Sequence, residues 1–351
     1  MTAPSRLLFV GALTSRQAGG ATVRNGLLVP ALRERGVAVE VIDTGPSGAA
    51  ARLRQLVALL GALARHGQVV LSLSRNGAVA LVVLAALASA LRPRQRVTFL
   101  AVGSSLPDNV RRLSGPARRF YLWCLSRCQP VWVQGEWLRR ELTELGVAGV
   151  EVLPNMRLPV AERWDPGTLA TRRLVFVSRV TPDKGVERAM AAVEALAGSG
   201  VEATLDVFGP VEDGYRAAFE AQLARHPRTR YRGPLPQAAV PGELAGAAAL
   251  LLPTTWASEG MPGVIVEAAM VGTPVVAAAL PAIAEVVEDG VSGLLVDPTD
   301  VAALTDAVRR LLTCPGLAAR LGTALRERSG AFTVDAVVSR LLTRLAVEGW
   351  R

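Results

Sequence analysis

Three short stretches of the 351-residue chain combine residue types that handle anions and hydroxyl groups. The first is Phe176-Val177-Ser178-Arg179-Val180-Thr181-Pro182-Asp183-Lys184-Gly185. An apolar run ends at Ser178, a Pro-Asp turn follows, and a helix is expected to start near Gly185. Arg179 and Lys184 then both leave from the carboxyl end of a strand. Two cations in that place can neutralise a diphosphate, the guanidinium as a planar fork and the ammonium as a point charge. Lys184 is also the only lysine among 39 basic residues. In a composition otherwise committed to arginine, a lone lysine suggests a position that needs a compact ammonium. The plainer alternative is a solvated basic turn.

The second stretch is Glu259-Gly260-Met261-Pro262-Gly263-Val264-Ile265-Val266-Glu267-Ala268, which follows a strand closed by Leu251-Leu252-Pro253. Pro262 suits the first turn of a helix, and Gly260 and Gly263 bare the backbone around it. Such a helix opens with N–H groups that favour an anion. Glu267, one turn further in, can accept two hydroxyl hydrogen bonds, as a carboxylate does from a ribose diol. Glu259 is held in the loop before the helix. Acidic residues near a helix start are favoured electrostatically in any case. The Gly/Pro loop between the two glutamates, together with the Arg/Lys pair, makes a binding site the better explanation.

The third stretch, Gln17-Ala18-Gly19-Gly20-Ala21-Thr22, lies between the first strand and a helix. Its glycines allow a ligand close to the backbone, although an ordinary strand-to-helix turn explains them as well. The spacing is not that of a dinucleotide fingerprint, and no acidic residue is expected at the end of the next strand. Cys124, Cys128 and Cys314 cannot build a disulfide framework and fit a reducing compartment. No second Cys or His pair joins Cys124 and Cys128, and His66 and His226 are isolated, so no metal is expected.

These residues need a scaffold, and the apolar pattern supplies one. Strands are expected near Leu7–Val10, Val37–Val41, Val69–Leu73, Val97–Ala101, Val131–Val133 and Glu151–Leu153. A second series follows at Leu174–Val177, Ala203–Phe208, Ala249–Leu252, Pro274–Ala277 and Gly293–Val296. Helical stretches separate them, in the first half at about 21–35, 49–65, 77–91, 115–128 and 135–145. Val/Leu strands alternating with helices mean parallel sheets covered on both faces. Pro154, Pro159, Pro166 and Gly167 interrupt the alternation, and a new strand starts at Leu174. The fold class is therefore α/β, with two doubly wound Rossmann-like domains facing a central cleft and ligands expected beyond the carboxyl ends of the strands.

Arg179…Lys184-Gly185, the Glu259-x7-Glu267 element, Gly272-Thr273-Pro274-Val275-Val276 and Asp289-Gly290…Gly293-Leu294-Leu295-Val296 together resemble glycosyltransferase family 4. The resemblance covers most of 171–300. It reaches the first half through Gly19-Gly20 and Leu153-Pro154-Asn155. It implies a GT-B fold and a retaining, nucleotide-sugar-dependent enzyme without a bound metal. Residues 1–158 would form the acceptor domain and 159–330 the donor domain, with 331–351 holding a helix (about Val334–Val347) that crosses back to the first. Arg179 and Lys184 would bind the donor diphosphate. Glu267 would hold the ribose, and Glu259 with the amides of Gly260, Met261, Pro262, Gly263 and Val264 the sugar. Pro262 can contribute only its carbonyl and ring, since it has no N–H. Gly19 and Gly20 would close on the donor from the other domain. Many relatives carry a His after the fourth strand; here Gly103-Ser104-Ser105 stands in its place, so that either Ser104 or Ser105 takes a hydrogen-bonding role or the sugar is gripped differently. A sugar-nucleotide epimerase on the same fold, and a catalytically silent nucleotide-sugar or nucleic-acid binder, are the alternatives.

Residues 1–160 carry 20 basic and 8 acidic side chains, the remainder 19 and 22. One half thus suits an anionic surface. Arg111, Arg112, Arg118 and Arg119 lead into Phe120-Tyr121-Leu122-Trp123, a basic-aromatic pattern that fits an anionic membrane, whereas nucleic acid is the less favoured partner. The plainer reading puts Phe120, Leu122 and Trp123 in the core. The longest apolar run, Gly77–Leu91, is shorter than the ~20 residues of a spanning helix. Leu7–Leu13 reads as a first strand rather than a signal peptide. The expected location is the cytoplasm, with peripheral attachment to the inner face of the membrane. A lipid-linked saccharide or a small molecule is the expected acceptor.

Overall fold

The computed structural model describes residues 6–13, 19–46, 48–74, 78–256 and 258–347. The chain divides into two compact units. The first comprises Met1–Leu158, Ser258–Gly260 and Phe332–Arg351, and the second Pro159–Ala257 and Met261–Ala331.

The first unit is built on β1 (Arg6–Gly11), β2 (Ala38–Asp43), β3 (Gln68–Leu73), β4 (Arg96–Ala101), β5 (Val131–Val133) and β6 (Val150–Val152). All neighbours run parallel, in the order β2-β1-β3-β4-β5-β6. The central strands are buried at every position after the first, as the uninterrupted Val/Leu/Phe runs require. One sheet face carries Leu8, Val10, Val69, Leu71, Val97 and Phe99 under the helices Ala49–Arg65, Ala78–Leu91 and Gly115–Ser126. The other carries Leu7, Phe9, Val70, Leu100 and Trp132 under Gly20–Glu34 and Val334–Val347. Strand β2 runs on to Asp43, so an acidic residue does end this strand, contrary to the sequence expectation. Its carboxylate accepts the amides of Leu13 (2.9 Å) and Gly45 (2.8 Å) and so ties two loops together.

The second unit holds β7 (Arg173–Val177), β8 (Thr204–Phe208), β9 (Thr229–Gly233), β10 (Ala249–Leu252), β11 (Val275–Ala278) and β12 (Leu294–Val296), again all parallel. Their order is β12-β11-β10-β7-β8-β9. The sheet grows from β7 through β8 to β9, then resumes at β10 on the opposite side of β7. In a doubly wound sheet the loops leaving such a reversal point diverge and leave room for a ligand. In the second unit these are the loops after β7 and β10. In the first they are the loops after β1 and β3, where Gln17 and Ala18 lie outside the described residues.

Strand β9 is missing from the sequence reading. It is an edge strand in which Arg230 and Arg232 face outward, so it lacks a continuous apolar run. The short helix Leu106–Arg111 was likewise unexpected, and begins one residue after Ser105.

Candidate functional site

The loops after β7 and β10 of the second unit are fastened to each other. Beyond β7, Ser178 donates its amide to the Phe208 carbonyl (3.1 Å). Pro182–Lys184 then forms a single 3-10 turn, and Gly185, at φ 84°, starts the helix Val186–Gly198. A side chain at Gly185 would place its Cβ 2.0 Å from the Pro253 carbonyl oxygen, which is how closely the two loops approach. Gly209, at φ 136°, repeats this on the other side, where a Cβ would stand 1.7 Å from the Ser178 oxygen. Only glycine meets both the left-handed conformation and the contact distance.

Hydrogen bonds complete the fastening. The Asp183 carbonyl accepts from the Thr255 amide (2.7 Å) and from the Thr254 hydroxyl (3.1 Å). Arg188, in the first turn of the helix Val186–Gly198, donates to the Pro253 carbonyl (3.0 Å) and the Thr255 hydroxyl (3.1 Å). Partial burial holds the Arg188 guanidinium below its ordinary pKa, so its charge is spent on local carbonyl and hydroxyl groups in a poorly solvated place.

Trp256 is the product of this arrangement. The Arg179 guanidinium carbon lies 5.6 Å from the centre of its ring and the Lys184 Nζ 5.7 Å. Both cations are therefore gathered on one aromatic ring, within the distance at which the ring quadrupole attracts them. Arg179 is exposed, whereas Lys184 is only 8 % exposed. The sequence reading named the two cations but missed Trp256. Its signal was available, since it is the one aromatic residue between Pro253 and Glu259.

The helix Gly263–Val271 starts one residue later than expected. Pro262 is its N-cap, with extended backbone and no side-chain capping bond, and Gly263 is the first helical residue. Met261 is buried and Val264 half-buried. Glu267 is buried in the second turn of this helix, and the Gln237 side-chain amide donates to its Oε1. Gln237 was not among the residues singled out. It holds one oxygen of the carboxylate.

Glu259 and Gly260, both half-buried, group with the first unit. There a Cβ on Gly260 would meet Gln134 Oε1 at 2.3 Å and the Gly103 Cα at 3.0 Å. Gln134 is buried and accepts the Gly103 amide (3.2 Å). Next to Gly103, Ser104 and Ser105 are both buried, and the Ser104 hydroxyl finds no hydrogen-bond partner. Gly19, the N-cap of the helix Gly20–Glu34, makes no side-chain capping bond, and its carbonyl accepts the Val23 amide (3.1 Å).

The first unit also holds a residue that the sequence did not flag. Arg24 is fully buried, donates to the Leu153 carbonyl (3.2 Å), and leaves its Nε and one terminal nitrogen unpaired. Desolvation pushes it down to about 10, so it still carries its charge at neutral pH. Among the described residues no three His, Cys, Asp or Glu side chains assemble as a metal site.

The basic-aromatic stretch splits between core and surface. In the helix Gly115–Ser126, Tyr121, Cys124 and Leu125 are buried and Leu122 packs against the same core. Phe120 and Trp123 stay exposed and stack on each other at 5.8 Å. Arg111 pairs with Glu141 (2.6 Å), and Arg118 donates to the Leu145 carbonyl (3.1 Å), while Arg112 and Arg119 are exposed.

Residues 171–314 match the model of the family described as Glycosyl transferases group 1. Among curated proteins, the chain is 34% identical over 199 residues to the glycogen synthase of Mycobacterium tuberculosis, covering 54% of this chain and 46% of that protein. It is 33% identical over 182 residues to a GDP-mannose-dependent phosphatidylinositol monomannoside mannosyltransferase of Mycolicibacterium smegmatis, covering 50% and 47%. The chain thus spans about half the length of the curated relatives it matches. Among solved structures, HepE of Anabaena in complex with UDP superposes with a TM-score of 0.77 at 19% identity over 97% of this chain and 100% of that one. Sucrose-phosphate synthase of Thermosynechococcus elongatus gives 0.76 at 18% identity over 98% and 100%. The fold is GT-B.

Proposed function

We propose that the protein is a glycosyltransferase that moves a sugar from a nucleoside-diphosphate donor to an acceptor hydroxyl with retention at the anomeric carbon. The observation that carries this is the gathering of Arg179 and Lys184 on Trp256, at the reversal point of the second sheet. Breaking a glycosyl–phosphate bond leaves charge on the departing diphosphate, and fixed cations held there lower that barrier. Lys184 contributes a point charge from a largely desolvated position, and Arg179 a fork for two phosphate oxygens. Glu267, oriented by Gln237, takes the ribose hydroxyls. Glu259, Gly260 and the opening of the helix Gly263–Val271 take the sugar, and the backbone at Gly19 and Gly20 is assigned to the same donor. Ser104, whose hydroxyl has a hydrogen bond to give, is preferred over Ser105 as the substitute for the family's histidine.

Departure on the front face, with the diphosphate taking the acceptor proton, agrees with the family resemblance and needs no carboxylate behind the sugar. A uridine nucleotide is the first donor to try, because HepE is solved with UDP; a guanosine nucleotide follows, because the mannosyltransferase relative uses GDP-mannose. An envelope saccharide or glycolipid is the proposed acceptor class.

Turnover of a panel of nucleotide sugars tests this. Lys184→Ala and Arg179→Ala should each lower kcat/KM by about 10²–10³, the loss seen when one charge-stabilising donor is removed, while circular dichroism and Tm are retained. Wild-type turnover in either variant would remove the charge-stabilising role. NMR of the donor incubated alone would reveal an epimerase as a new sugar. Tight nucleotide binding without turnover of any donor would indicate a silent binder.

A further inference from the structure

We propose that the outer face of three consecutive helices in the first unit is a docking surface for an anionic phospholipid bilayer. The helices Ala49–Arg65, Ala78–Leu91 and Gly115–Ser126 lie side by side over one face of the first sheet. They bury Leu59, Ala62 and Leu63, then Val82, Ala85 and Ala86, then Tyr121, Cys124 and Leu125. The sides turned away from the sheet mix exposed arginines (Arg54, Arg65 and Arg119) with large apolar side chains. Leu56, Val57 and Leu60 on the first helix, Leu87 and Leu91 on the second, and Phe120 and Trp123 on the third are exposed. Seven of the nine large apolar side chains exposed among the described residues thus sit on one layer of helices. Leu56/Leu60 and Leu87/Leu91 are spaced i,i+4 and Phe120/Trp123 i,i+3, so each set lines one side of its helix. Single exposed apolar residues need no explanation, but a concentration on one layer marks an interaction surface.

Charge selects the occupant. Between Thr44 and Gly135 the chain has twelve arginines and one acidic residue, Asp108. A second copy of this surface would be repelled by its like charge. Nucleic acid would satisfy the arginines, but Leu56, Val57, Leu60, Leu87 and Leu91 have no ring to stack on a base. An anionic bilayer satisfies both, with headgroup phosphates for the arginines and acyl chains for the apolar side chains. Phe120 and Trp123 are ring side chains suited to the headgroup boundary. Directly after Leu91, which is 85 % exposed, Arg92 and Arg94 line a cavity of about 390 Å³ with Gly67, Pro93 and Gln95. Arg92 donates Nη1 to the Leu63 carbonyl (2.6 Å) and to that of Ala64, at the end of the helix Ala49–Arg65, so Arg94 with the remaining edge of the Arg92 guanidinium presents the positive charge to a lipid phosphate beside the apolar layer. Among the described residues no helix is long and apolar enough to cross a membrane, so the contact is peripheral.

This surface is independent of sugar transfer, and its test needs no substrate. The full chain is sedimented with vesicles of phosphatidylglycerol and phosphatidylcholine, and with phosphatidylcholine alone. Binding is expected only to the anionic vesicles, and is expected to weaken as salt screens the phosphates. Arg92→Glu/Arg94→Glu should reduce it at least tenfold, at about fivefold per arginine lost near a charged membrane. Leu91→Ser/Trp123→Ser should reduce it severalfold without changing Tm. Arg216→Glu, on an exposed helix of the second unit, controls for net charge and should change it little. Absence of binding, equal binding to neutral vesicles, or anionic binding that survives both double variants would each overturn the proposal. Concentration-dependent dimerisation abolished by Leu91→Ser/Trp123→Ser, with no vesicle binding, would overturn it in favour of a second copy.

Discussion

Trp256 decides how the two cations are presented. Two positive groups gathered in one place repel each other, and a ring shared between them offsets part of that repulsion at about 0.5–1 kcal/mol for each exposed contact, more where water is excluded. Loss of the ring should free both side chains to spread into solvent. Trp256→Ala is therefore expected to raise the donor KM by about tenfold, as two such contacts would allow, and Trp256→Phe, which keeps a weaker π face, to raise it less. Steady-state kinetics with varied donor checks the order wild type, Phe, Ala. Equal KM values in all three would mean that the ring has no part in positioning the cations.

At the scale of elements, two glycines hold the site loops at their contact distance. Gly185→Ala and Gly209→Ala each combine a left-handed backbone with a Cβ inside a carbonyl oxygen, at 2.0 Å and 1.7 Å. Each should cost more than about 2 kcal/mol, since strain and overlap add, and thermal or urea unfolding measures it. Strands β7 and β10 were legible from sequence for a physical reason: a parallel strand covered on both faces must be apolar throughout, and Leu174–Val177 and Ala249–Leu252 are. Strand β9 was not, because an edge strand needs only one apolar side, and Arg232 on it reaches back to Asp206 (3.0 Å) on β8. The helix after Met261 was found with its start misplaced by one residue, since proline is accepted both at the cap and in the first turn. Arg179, Lys184 and Glu267 were legible as residue types with a chemistry. Trp256, Gln237 and Arg24 matter through what they touch, and spacing along the chain does not encode contacts across 30 or more residues.

Across the whole molecule, charge and thiol chemistry are divided between the units. The excess of arginine over acidic residues lies in the first half, where the exposed apolar helices are, and the sequence already showed that imbalance. It could not show that Phe120 and Trp123 are left outside while Tyr121 and Leu122 pack inward, because the same helical spacing serves either outcome. Two of the three thiols, Cys124 and Cys128, are buried under that helix layer. Burial pushes the Cys128 thiol up to about 12 and raises that of Cys124 above its ordinary value, so both are poorer sources of thiolate than an exposed cysteine. Cys314, in the second unit, is exposed. Native protein at pH 8 should therefore consume one equivalent of a thiol reagent rapidly and three after unfolding. Rapid titration of all three in the native state would show that the helix layer opens readily.

The solitary lysine has a practical consequence. An amine-directed reagent meets a single side-chain target in the whole polypeptide, and that target, only 8 % exposed and so slow to react, sits on the Pro182–Lys184 turn with its Nζ 5.7 Å from the centre of the Trp256 ring. The extent of acylation at this one peptide, read by mass spectrometry with and without a nucleotide, would report occupancy of the turn directly, even for a ligand that is never converted.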